Sequence, residues 1–176
     1  MSATGGEAGA RGPAARARQV AVIGAGGAEP GSEAWELAEA VGRGLAAAGV
    51  VLVCGGRAGV MEAACRGAAR AGGEAIGILP GHELGEANPF CTSVIATGIG
   101  HARNLAVVSS GEVVIAVGGE WGTLSEIGHA RAIGRTVVAL RSWTLSGRER
   151  MEGAPGIEVV ETPAAAVAAA LAALPA

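Results

Sequence analysis

The stretch Val113-Val-Ile-Ala-Val117, followed by Gly118-Gly119-Glu120-Trp121-Gly122-Thr123-Leu-Ser-Glu126, reads as a strand, a glycine loop and a helix. Five apolar residues without polar alternation are the pattern of a strand buried on both faces, which belongs in a parallel sheet covered by helices. At the end of such a strand, a glycine loop leading into a helix can hold a phosphate on backbone N–H groups. A helix opening at Thr123 would present the carboxylate of Glu126 one turn later.

Working outward, the same alternation recurs along the chain. Upstream, Val20–Gly24 is a first short apolar run, and Ser32 caps a helix to about Ala48 whose stripe is Trp35, Leu37, Ala38, Val41 and Leu45, stopped by Gly49. Val50–Val53 reads as a strand, Gly59–Ala71 as a helix, and Ala75–Leu79 as a strand closed by Pro80-Gly81. A loop over His82–Thr92, a short strand at Val94–Ala96 and a helix at His101–Ser109 complete the upstream half. Downstream, Leu124–Ile133 reads as a helix, Thr136–Leu140 as a strand, 141–157 as a longer loop and Ile157–Val160 as an edge strand. Thr162 caps a final Ala-rich helix with Pro163 at its first position. Strands joined in this way by helices predict an α/β chain, a three-layer doubly wound, mostly parallel sheet. Residues 1–18, rich in Ala, Gly and Arg, are expected to be a flexible N-terminal arm, and 19–176 a single nucleotide- or phosphate-binding domain.

Composition narrows the function. The chain has 176 residues, half of them hydrophobic, enough for one sizeable core. A net charge of -3 provides no general electrostatic grip on nucleic acid, because counterion release needs a basic face. Cys54, Cys65 and Cys91 are an odd number in apolar surroundings and read as reduced thiols. Neither they nor His82, His101 and His129 show paired metal-ligand spacing, so no metal site is expected. The first residues lack the apolar run of a signal peptide, and no segment is long and apolar enough to span a membrane, so the expected compartment is the cytoplasm.

Three glycine segments fall at strand ends. The first, Gly24-Ala-Gly26-Gly27, would serve equally as a tight turn. No acidic residue follows the second strand, where dinucleotide enzymes hold a ribose; Cys54 stands there, which disfavours a nicotinamide dehydrogenase. The second, Gly55-Gly56-Arg57-Ala-Gly59, adds an arginine suited to a bidentate phosphate grip, with Met61 in the following helical turn. Gly118, Gly119, Gly122 and Thr123 make up the third. Their convergence predicts one pocket for a phosphorylated small molecule.

Four ordered motifs resemble a known superfamily: Cys54-Gly-Gly-Arg-Ala-Gly-Val-Met-Glu62, Gly77-Ile-Leu-Pro-Gly81, Gly100-His-Ala-Arg-Asn104 and Val117-Gly-Gly-Glu-Trp-Gly-Thr-Leu-Ser-Glu126. Over roughly residues 20 to 140 the chain looks like the Lonely Guy (LOG) superfamily, long called lysine decarboxylase-like. Within it, the chain resembles the short bacterial branch that includes molybdenum cofactor carrier proteins and members related to the DNA-processing protein DprA. The resemblance implies a Rossmann-like homo-oligomer, dimer or tetramer, that binds a nucleotide monophosphate or molybdenum cofactor and requires no further cofactor. It also implies that Arg103 and Glu126 occupy the positions that serve N-glycosidic cleavage in the LOG phosphoribohydrolases, with Asn104 beside them in the pocket. Two departures favour binding over hydrolysis: Glu120 stands where those enzymes have glycine, and Asn104 where they commonly have lysine. A DNA-processing role is the least favoured reading, given the acidic charge balance.

Overall fold

In a computed structural model, residues 16–143 and 156–175 are described; most of the arm at 1–18 and of the loop at 141–157 lies outside them. Seven strands form one sheet: β1 (Gln19–Gly24), β2 (Val51–Cys54), β3 (Ala75–Leu79), β4 (Ser93–Ala96), β5 (Val113–Val117), β6 (Thr136–Leu140) and β7 (Ile157–Val160), in the order β4-β3-β2-β1-β5-β6-β7. Every neighbouring pair is parallel. The doubly wound α/β architecture is therefore present.

The strands hold the centre because their side chains have no water to face. All five residues of β5 are fully buried, and β1 pairs beside it from Val20 with Val113 to Gly24 with Val117. Alternate residues point to opposite faces. Val20, Val22, Leu52, Ile115 and Leu140 pack under α1 (Glu33–Ala47), α2 (Val60–Arg70) and α5 (Pro163–Ala173). Ala21, Ile23, Val53, Val114 and Val137 pack under α3 (Arg103–Ser110) and α4 (Trp121–Ala132). Strand order reverses between β1 and β5, so a crevice opens at their carboxyl ends.

Local signals place most boundaries. Ser32 accepts from the Trp35 N–H and Thr162 from the Ala165 N–H, with Pro163 at the start of α5. Two 3-10 turns, Leu84–Glu86 and Gly100–Ala102, were not legible as such; the second takes His101 out of the helix expected over His101–Ser109. The expectation that α4 opens at Thr123 is corrected: the helix begins at Trp121, with Glu120 extended at its N-cap. Gly119, at φ 152, ends the loop early enough for the helix to start there, and the exposed Trp121 side chain demands no core space. Thr123 therefore sits buried in the first turn.

Candidate functional site

A cavity of roughly 210 Å³ lies at the β1/β5 crevice. Its walls come from the end of β1, the loop after β2, the start of α3 and the first two turns of α4. Typical small-molecule clefts measure ~300–1,000 Å³. The cavity suits the phosphate end of a ligand better than an entire dinucleotide.

Arg103 opens α3 and is buried, at 8% exposure. Its guanidinium lies against Gly55, where an added Cβ would collide with it. Glycine is needed there for close approach. The buried Nε of Arg103 has no hydrogen-bond partner among the described residues. Burial lowers the pKa of this guanidinium, while the carboxylate of Glu126 raises it. An orphaned, buried cationic donor is an expensive arrangement that an anionic ligand relieves.

Glu126 stands in the second turn of α4 and is also buried, at 7% exposure. Burial pushes its carboxyl up to about 7, with Arg103 pulling the other way. Among the described residues no ion pair joins the two side chains, although both face the cavity. A carboxyl poised near neutrality can give or take a proton at a bound group. No side chain caps the N-terminus of α4. Its first N–H groups and the positive end of its dipole remain available to an anion.

Two further contacts set the shape of the loops. Gly59, at φ +74, lies so close to the Ala25 and Gly26 carbonyls that a Cβ would collide with them, and the Val60 N–H donates to the Ala25 carbonyl at 3.0 Å. The first and second glycine loops are thereby joined. Asn88, 7% exposed, donates its Nδ2 to the Arg57 carbonyl at 3.1 Å, and its backbone N–H donates to the Gly56 carbonyl at 2.8 Å. Nothing in the sequence of the 82–92 loop singled out Asn88.

The structure brings together Gly24, Gly26, Gly55, Met61, Arg103, Asn104, Gly122, Thr123 and Glu126 around the cavity. It leaves Gly56, Gly59, Gly118 and Gly119 out of the wall. Arg57 is also outside it, half exposed and paired with Glu86 at 3.6 Å. Val22 and Ile23 line the floor, a role hidden in a strand that reads only as core. His101 reaches the wall from the 3-10 turn, and Glu120 faces the rim, near Gly27. Trp121, 78% exposed, packs against Trp143 with ring centroids 5.5 Å apart, and Trp143 Nε1 donates to the Glu120 carbonyl at 3.3 Å.

The model of the SLOG cluster4 family matches residues 17–167. The chain belongs to that family. An uncharacterised protein of Archaeoglobus fulgidus is 41% identical over 149 residues, which cover 85% of this chain and 91% of that one. Among solved structures, the molybdenum cofactor binding protein of Rippkaea orientalis is similar at 33% identity and a TM-score of 0.80, covering 90% of this chain and 98% of that one. The molybdenum cofactor carrier protein of Chlamydomonas reinhardtii is similar at 32% identity and a TM-score of 0.78, with the same coverage. This SLOG family membership agrees with the superfamily resemblance drawn from the four motifs, including its carrier branch. No described helix is long and apolar enough to cross a membrane.

Proposed function

We propose that this SLOG protein binds a phosphorylated small molecule in the β1/β5 crevice and carries it without turning it over, the molybdenum cofactor being the best-fitting cargo. The observation that supports this most is the partnerless buried Nε of Arg103 beside the uncapped start of α4. Together they offer charge and N–H donors to a phosphate, as the phosphorylated pterin end of that cofactor requires. Gly24, Gly26 and Gly55 leave room for it, and the similarity to two proteins named for binding or carrying this cofactor agrees. In this reading the chain works as a homo-oligomer, dimer or tetramer, for which the apolar groove between α1 and α5, around Ala47, Val167 and Leu171, is available.

The test is titration of the purified protein with molybdenum cofactor released from a molybdoenzyme, alongside mass spectrometry of whatever co-purifies. Saturable binding that weakens at least tenfold in Arg103→Ala is expected, since a charge-assisted pair is worth ~1.5–3 kcal/mol. Binding no tighter than that of the variant would overturn the reading. Light scattering that returns a monomer mass would remove the oligomer from it.

One observation favours a second reading, a nucleoside 5'-monophosphate phosphoribohydrolase: the Glu126 carboxyl is poised near neutral pH beside Arg103. There the carboxylate would activate water or stabilise an oxocarbenium-like ribosyl centre, and the guanidinium would orient the phosphate. Base release from AMP that disappears in Glu126→Gln would replace the carrier reading with this one.

A further inference from the structure

Outside the residues that line the cavity, the three cysteines of the chain meet. Cys54 ends β2, Cys65 lies on α2 and Cys91 precedes β4, yet their sulfurs all lie within 4.8 Å of one another. Cys54 Sγ and Cys65 Sγ are 3.4 Å apart, and Cys65 Sγ and Cys91 Sγ 3.8 Å. Metal–thiolate bonds near 2.3 Å at a tetrahedral ion place sulfurs about 3.8 Å apart. The two edges at 3.4 and 3.8 Å are close to that spacing, and the third is within 4.8 Å.

Its surroundings are built for that arrangement. Cys91 Sγ reaches the cluster across Gly77, where an added Cβ would come within 2.7 Å of it. The Gly56 N–H donates to Cys54 Sγ at 3.3 Å, the kind of outer hydrogen bond that orients and stabilises a ligating sulfur. Cys54 and Cys65 are fully buried, whereas Cys91 is half-buried and offers the way in.

We propose that Cys54, Cys65 and Cys91 together bind one soft, thiophilic cation of the Zn(II) or Cu(I) class. Soft thiolate donors select these ions over harder ones. On binding, three S–H bonds break, three protons leave to solvent and three metal–sulfur bonds form, with no change of oxidation state. The assembly keeps one negative charge with a divalent ion and two with a monovalent one, and the Arg103 guanidinium, within Coulombic reach of Cys54, offsets part of it. Zinc would complete its four positions with an exchangeable ligand, while copper can remain three-coordinate. None of the three cysteines lines the cavity, so the two sites bind through different side chains.

The full chain, reduced and kept anaerobic, is titrated separately with Zn(II) and with Cu(I) against a chromogenic chelator, and thiols are counted by alkylation and mass spectrometry. One ion per chain and protection of Cys91, the half-buried thiol, are expected, with affinity falling about a hundredfold or more in Cys91→Ser. Cys91 is the least buried of the three, so that variant leaves the core packing nearly intact. Substitution with Co(II) provides a readout without any variant: thiolate-to-metal charge-transfer absorption supports the site. Preference for one ion identifies the occupant and upholds the proposal. It is overturned if Cys91 stays reactive with both ions present, if Cys91→Ser binds as tightly as the natural chain, or if Zn(II) binds but Co(II) gives no charge-transfer band.

Discussion

Glu126 makes the stability of the protein depend on pH in a direction opposite to most carboxylates. Burial raises its carboxyl from the ordinary 4.5 to about 7 in the fold. The folded state therefore holds a proton that the unfolded chain has already lost, and stability falls as pH rises between these values. The contribution is fully present below about 4.5 and gone above about 7. At 1.36 kcal/mol per pH unit the displacement corresponds to about 3 kcal/mol. Glu126→Gln copies the protonated form at every pH, so it should match the natural chain near pH 4 and exceed it near pH 8. The raised value already includes the pull of Arg103, so the expected net gain at pH 8 is about 3 kcal/mol. For a chain of this length that is roughly 6–12 °C in Tm. Thermal unfolding of both proteins from pH 4 to pH 8, in one ionic strength, checks it. Parallel profiles, or an advantage for the natural chain that grows with pH, would refute the assignment of Glu126 as a buried, near-neutral carboxyl.

The glycines of the second loop should separate binding from folding. In Gly55→Ala the new methyl group meets only the movable end of Arg103, so stability should fall by less than about 1.5 kcal/mol while phosphate-ligand affinity drops about tenfold in isothermal titration. In Gly59→Ala the clash is with backbone carbonyls at positive φ, and denaturant unfolding should show a loss of more than about 2 kcal/mol. Ile115→Ala, at the centre of β5, should cost about 2–5 kcal/mol in the same assay, whereas Trp121→Ala, which loses only its contact with Trp143, should cost less than about 1 kcal/mol.

The amino-acid sequence by itself determined the layered fold. Runs such as Val113–Val117 and Thr136–Leu140 carry no polar alternation and can be satisfied only between two helical layers, while Ser32 and the Thr162-Pro163 pair mark helix starts through contacts a few residues long. The glycine loops and Glu126 stood out through local signals, whereas Arg103 was singled out only through the motif resemblance. Tertiary structure alone decided which of them share a wall. It set the Arg103 guanidinium against Gly55, left Arg57 outside paired with Glu86, and clamped the second loop with Asn88. It also gathered three cysteines that show no ligand spacing along the chain. Short apolar strands look alike in sequence, so strand order is not written in any one of them. Only once β1 lies between β2 and β5 do residues from distant segments meet in one cavity and lose the water that would otherwise hold Glu126 at its ordinary pKa.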